Sequence, residues 1–237
     1  MNIVIIGATS GIGKALLETY VNGENIIGII GRRTHLLDEL HLKYPSKTIT
    51  AKADITNLEE IEKAIDTLHK VLGNIDLAIL CAGTGEMNAT LNYAVERPTI
   101  DTNVVGWSFV VDKLYHILEQ QNNGHLVAIT SVGGLRGEPM APAYSATKAY
   151  QINYMEALRK KAYKNGKHIT VTDIRPGLID TAMAKGDGLF WVMPVEKVVS
   201  QIIAAISKKR SKAYVTKRWH IIAIINKNLP YCIYKRM

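Results

Sequence analysis

Cysteine is scarce in this 237-residue chain, with only Cys81 and Cys232. The two have neither metal-ligand spacing nor the density of a disulfide-stapled fold, so they point to a reducing cytoplasm and to buried, inert thiols. Nothing resembles a signal peptide: Met1-Asn2 runs straight into Ile3-Val4-Ile5-Ile6, without a basic start, a long apolar core or a cleavage site. Acidic residues are missing from one end. None follows Glu196, whereas Lys197, Lys208, Lys209, Arg210, Lys212, Lys217, Arg218, Lys227, Lys235 and Arg236 do. Removing those ten charges takes the formal net charge from +8 to −2, so the body is nearly neutral and the tail carries the excess. No H-E-x-x-H or comparable spacing joins the seven histidines; they read as surface or helix residues, and no metal is expected. No nucleic-acid partner is expected either. Repeats, low-complexity segments and linkers are absent, and with 47% hydrophobic and 21% charged residues the chain reads as one well-buried domain.

What is present is alternation. Short apolar runs at Ile3 to Ile6, Ile26 to Ile30, Ile49 to Ala51, Leu77 to Leu80, Leu126 to Thr130, Thr170 to Ile174 and Ala213 to Thr216 predict seven strands. Helical patterns lie between them at Ile12 to Val21, His35 to Lys43, Asn57 to Val71, Val104 to Gln121, Tyr144 to Lys164 and Val195 to Ser207. This is the signature of an α/β protein, a single doubly wound parallel sheet covered by helices on both faces. Such sheets bind ligands at the carboxyl ends of their strands. Gly7, Arg32, Asp54, Ala82, Ser131 and Pro176 follow strands one to six in turn.

The turn Gly7-Ala8-Thr9-Ser10-Gly11-Ile12-Gly13 joins strand one to a helix, where missing side chains let backbone approach a pyrophosphate. It is neither G-x-G-x-x-G nor a P-loop, because Ala8 and Ala15 stand where a P-loop needs glycine and a hydroxyl. Gly31-Arg32-Arg33 ends strand two, and no acid lies between Glu24 and Asp38. Arginine there suits the 2′-phosphate of NADP, so NADP(H) is expected in preference to NAD(H). Tyr144 and Lys148, four apart on one helix, place an ammonium where it favours the ionised phenol. Ser131 precedes that tyrosine by thirteen residues. A serine hydrolase is excluded, since Ile129-Thr130-Ser131-Val132-Gly133 lacks the first glycine of G-x-S-x-G.

With the glycine turn, Ser131, Tyr144 and Lys148 together, residues 1 to 216 resemble the classical short-chain dehydrogenase/reductase family. The resemblance implies a Rossmann-type fold and interconversion of a carbonyl and an alcohol, with Tyr144 as general acid and base, Ser131 holding the substrate oxygen, and Lys148 binding the nicotinamide ribose. It also implies that Asn103 is catalytic, supporting a water and the lysine in a proton relay. Cofactor contacts are implied at Gly7, Thr9, Ser10, Gly11, Ile12, Gly13, Arg32, Arg33, Asp54, Ile55, Ala82, Gly83, Tyr144, Lys148, Pro176, Gly177, Ile179 and Thr181. One departure is Leu80-Cys81-Ala82-Gly83, where the family carries Asn-Asn-Ala-Gly. A homodimer or homotetramer through the Val104 and Tyr144 helices is implied as well.

Two segments remain open. Leu178 to Pro194, with Gly186-Asp187-Gly188 and Leu189-Phe190-Trp191-Val192-Met193, reads either as a lid over an apolar small-molecule substrate or as a loop packed on the core. Residues 217–237 form a basic, apolar tail whose run Trp219 to Ile225 is far short of the ~20 residues that span a bilayer. The tail either packs on the protein or a second subunit, or lies on an anionic membrane surface. Beside a general reductase, the sequence admits a 3-oxoacyl thioester reductase serving an acidic carrier protein, and a non-catalytic cofactor-binding scaffold.

Overall fold

The computed structural model describes residues 1–181 and 191–236. Seven parallel strands are present: β1 (Asn2–Ile6), β2 (Ile26–Gly31), β3 (Thr48–Lys52), β4 (Leu77–Leu80), β5 (Asn123–Ile129), β6 (His168–Pro176) and β7 (Lys212–Val215). They lie in the order β3-β2-β1-β4-β5-β6-β7. Chain order reverses at β1, which pairs with β2 on one side and β4 on the other, Ile6 standing opposite both Ile30 and Leu80. A crevice opens there at the carboxyl ends.

Side chains alternate across the pleat, so Ile3 and Ile5 enter one core while Val4 and Ile6 enter the other. Both faces are covered, which is why the strands read as unbroken apolar runs. One face carries α3 (Leu58–Leu72), α5 (Trp107–Gln121) and α6 (Pro142–Lys164); the other carries α1 (Gly11–Tyr20), α2 (Thr34–Lys43) and α7 (Val195–Ser207). Among these, α6 starts at Pro142 rather than Tyr144, because proline with its fixed φ suits the first helical turn, where its missing N–H is no loss.

The helix expected from Val104 begins earlier. It runs from α4 (Tyr93–Ile100) through a wide π-helical turn, Asp101–Gly106, into α5. Pro98 lies inside α4 and withholds one backbone donor, so the sequence reads as a boundary where the chain stays helical. Asn103 sits in the π-helical turn and is fully buried.

Three further expectations are corrected. His125 is buried on β5 against the Thr172 hydroxyl (2.7 Å), because the strand, not a helix or the surface, carries it inward. Cys232 is exposed, because its short helix lies on the surface. Cys81 is only partly buried, yet burial pushes its thiol up to about 12, which keeps it inert.

The carboxyl-terminal segment folds as α8 (Lys217–Asn228) and α9 (Tyr231–Tyr234). Trp219 and Ala223 turn inward, and His220 stacks on Tyr214 of β7 at 4.6 Å between ring centroids. Arg136 donates to the Leu229 carbonyl and lies over the Tyr234 ring, whose hydroxyl donates to the Gly137 carbonyl. Within Leu178 to Pro194, the flanks pair: Asp180 N–H donates to the Met193 carbonyl (3.0 Å) and Met193 N–H to the Leu178 carbonyl (3.1 Å). Gly186-Asp187-Gly188 and Leu189-Phe190 lie outside the described residues. No helix among the described residues is long and apolar enough to cross a membrane.

Candidate active site

A cavity of about 540 Å³ occupies the crevice. Its walls include Gly7, Thr9, Ser10, Gly11, Ile12, Gly13, Arg32, Arg33, Ile55, Ala82, Gly83, Ser131, Tyr144, Lys148, Pro176, Gly177, Ile179 and Thr181, all singled out from the sequence. Asp54 and Asn103 are not on the wall. Asp54 stands behind Arg32, 3.3 Å from its guanidinium, and Asn103 lies beneath Gly83 and Thr84.

The phosphate turn is packed to backbone distance. At Gly7, which has φ of +88°, a Cβ would stand 2.7 Å from the Ala82 nitrogen, and at Gly13 one would meet the Gly7 carbonyl oxygen at 2.2 Å. Helix α1 then starts with no side-chain cap on Ser10 and no acid in its first turn. Its first N–H groups therefore face the crevice as a donor set for an anion. Arg33 folds onto the same turn, donating to Thr9 Oγ1 and Ser10 Oγ at 2.8 Å each. An uncapped helix start and close-packed glycines fit the pyrophosphate of a dinucleotide.

At the other end, β5 delivers Ser131 and α6 delivers Tyr144 and Lys148. Ser131 Oγ accepts from Gly133 N–H (2.9 Å) as it caps the short turn Val132–Leu135, which leaves its hydroxyl proton to be donated. Gly85, missed in the sequence, lies flat on the Tyr144 ring: a Cβ there would come within 2.3 Å of Cδ2.

The lysine differs from expectation. Its Nζ sits 5.9 Å from the Tyr144 ring centroid and donates to Gln151 Oε1 (2.9 Å) and the Ile129 carbonyl (3.2 Å). Burial lowers Lys148 to about 8, with the Asp173 carboxylate opposing. Burial also raises the Tyr144 phenol above its ordinary value, the Ser131 hydroxyl opposing less strongly. The expected lowering of the phenol by the ammonium is thus overturned, because desolvation of a buried phenol outweighs the hydrogen bond it receives. Asp173 in turn is fully buried, holding Arg175 Nε (2.7 Å) and the Thr130 hydroxyl (2.6 Å).

Asn103 is fixed on every side. Its Oδ1 accepts from Thr84 N–H (2.9 Å), and its Nδ2 donates to the Thr84 carbonyl (2.7 Å) and Thr147 Oγ1 (3.1 Å). Its own carbonyl accepts from Gln151 Nε2 (2.9 Å). The fully buried Gln151 amide therefore joins the Lys148 ammonium to the Asn103 carbonyl. Gln151, like Gly85, is a residue that sequence reasoning missed. Its signal was helical spacing, seven after Tyr144 and three after Lys148, on the same face of α6.

The family model for short chain dehydrogenases matches residues 1–188. An uncharacterized oxidoreductase of Mycobacterium tuberculosis is 31% identical over 223 residues, covering 90% of this chain and 87% of its own length. Among solved structures, a short chain dehydrogenase from Burkholderia cenocepacia in complex with NADP superimposes with a TM-score of 0.86 at 22% identity, over 99% of this chain and 96% of that one. A second, from Burkholderia phymatum in complex with NAD, gives 0.85 at 17% identity, over 95% and 92%. The chain belongs to the short-chain dehydrogenase/reductase family and is an oxidoreductase with a nicotinamide-cofactor fold.

Proposed function

We propose that this protein is an NADP(H)-dependent reductase that interconverts a carbonyl and an alcohol, with Tyr144 as acid and base. The observation that carries this reading is one cavity shared by a phosphate-binding turn at one end and Ser131, Tyr144 and Lys148 at the other. When bound, the reduced nicotinamide supplies hydride to the carbonyl carbon.

The protein's own groups handle the oxygen. Burial keeps the Tyr144 phenol protonated through the neutral range, so it enters reduction as a proton donor. The Ser131 hydroxyl, which accepts from Gly133 N–H on one lone pair, donates its proton to the same substrate oxygen and supports charge developing there. Once Tyr144 has given its proton, the ammonium of Lys148 stabilises the phenolate and restores the proton. Below about pH 8 that ammonium is charged. Gln151 and the Asn103 carbonyl hold the lysine in place from behind. In alcohol oxidation the same proton runs backwards.

The cofactor preference rests on Arg32 and Arg33 at the end of β2, and on the NADP held by the B. cenocepacia relative. The B. phymatum relative holds NAD. Exposed Val105 in the π-helical turn before α5 and exposed Tyr150 on α6 support self-association there. The direct test is to titrate the protein with NADPH and NADH, then follow nicotinamide absorbance across ketones, aldehydes and acyl thioesters. NADPH bound more tightly, with turnover, is the expected result; no binding of either would overturn the reading.

A further inference from the structure

The outer surface of α8 and α9 combines exposed aliphatic and cationic side chains. Ile221 (64% exposed), Ile224 (52%) and Ile225 (57%) lie three and four residues apart on one outward side of α8. Tyr231 (72%) and Ile233 (51%) continue the apolar surface on α9. Exposed Lys217, Arg218, Lys227, Lys235 and Arg236 flank it, and no acidic residue follows Glu196. Scattered exposed isoleucines are ordinary on a protein surface, but a cluster rimmed by charge of one sign is not.

From this we infer that α8 and α9 form a docking surface for an anionic lipid bilayer, with the isoleucines inserted at the headgroup boundary and the cations on acidic headgroups. A second copy of this chain is the poorer occupant. A two-fold interface would set this face against itself, bringing like charges together with no carboxylate after Glu196 to pair them. An acidic protein would satisfy the cations, but it would not account for aliphatic side chains that make no hydrogen bonds. A membrane surface satisfies both, and a tyrosine with its polar tip sits well at the interface.

The helices are held as a platform. Trp219 and Ala223 face inward, Arg136 grips the Leu229 carbonyl, and Tyr234 donates to the Gly137 carbonyl. Their orientation is therefore fixed before any surface is met, so docking orders little new chain. The platform also adjoins the cavity. The Trp219 indole packs on Gly177, a cavity-wall residue, so closely that a Cβ there would lie 2.0 Å from the ring. Arg136 follows the turn that Ser131 caps. Resting on the reductase reading, this adjacency of platform and cavity names the substrate class as carbonyl or alcohol lipids resident in the bilayer.

The test uses the full chain and vesicles of phosphatidylcholine, with and without 30% phosphatidylglycerol as an illustrative content of roughly one anionic lipid in three. The protein should sediment with the anionic vesicles, release as salt rises, and stay in solution with the neutral ones. Ile221→Asp with Ile225→Asp should weaken partitioning on the order of a hundredfold, and Lys227→Glu with Lys235→Glu about tenfold or more. Circular dichroism and turnover of a water-soluble ketone should match the parent in both, since neither pair touches the cavity. No sedimentation of the parent, or equal sedimentation of the isoleucine pair, overturns the docking surface. So does binding to acyl carrier protein that the lysine pair abolishes while vesicles are ignored, or a change of oligomeric state in the isoleucine pair without vesicle binding. Failure of the reductase reading would show separately, as no turnover of the soluble ketone by any variant.

Discussion

Replacing Gln151 with leucine isolates what holds Lys148. The side chain is fully buried, accepts from the Lys148 ammonium at 2.9 Å and donates to the Asn103 carbonyl at 2.9 Å. Leucine keeps most of the volume and removes both bonds. A hydrogen bond to a charged group is worth about 1.5–3 kcal/mol, and an unsatisfied buried carbonyl costs about 1–3 kcal/mol. Because the lost acceptor favoured the charged lysine, Lys148 must titrate lower in the variant. The parent ammonium is lost near pH 8. A loss of 1.4 kcal/mol moves that limb down by about one pH unit. The tyrosine cannot supply this limb, since burial holds it above its ordinary value. The assay is kcat for carbonyl reduction between pH 6 and 10 or so, a window set to bracket the lysine. Gln151→Glu supplies the opposite sign, because a carboxylate beside the ammonium raises it. Generalised structural damage would not move the limb in opposite directions. Identical limbs in parent, Gln151→Leu and Gln151→Glu would refute the role given to the amide.

Gly85→Ala places a methyl 2.3 Å from Tyr144 Cδ2, so the ring must shift; kcat should fall about a hundredfold while nicotinamide binding, followed by fluorescence, changes little. Arg33→Ala removes the 2.8 Å bonds to Thr9 and Ser10, and should raise the Kd of NADPH about tenfold or more while leaving that of NADH within threefold or so, as isothermal titration would report. His125 gives a pH signature in stability. Burial, then Lys209, lowers it from 6.5 to about 4, so the unfolded chain takes up a proton first as pH falls. Its contribution is complete above pH 6.5 and is lost towards pH 4, on the order of 3 kcal/mol in all. Urea unfolding of His125→Asn across that window should lack this part of the acid loss.

The sheet was legible because β1 and β4, buried on both faces, leave unbroken runs of Ile, Val, Leu and Ala. The pair proposed as catalytic was legible because Tyr144 and Lys148 belong to one helical face. What escaped depends on residues distant in sequence. Gln151 matters only because the π-helical turn brings the Asn103 carbonyl within its reach, forty-eight positions away. The Tyr144 phenol is raised, not lowered, because burial is set by the packing of Gly85 and its neighbours and leaves no trace in Y-x-x-x-K. Helix α8 was hidden because its inward contacts are few, Trp219 and Ala223, while its outward side is equally apolar, so the pattern shows no clean stripe.

Tyr144→Phe tests the central claim most directly, because it deletes one oxygen and keeps the ring that packs on Gly85. Steady-state reduction of a carbonyl substrate should fall by three orders of magnitude or so, with NADPH affinity within severalfold of the parent. A Tyr144→Phe protein that retains near-parental turnover would contradict the account.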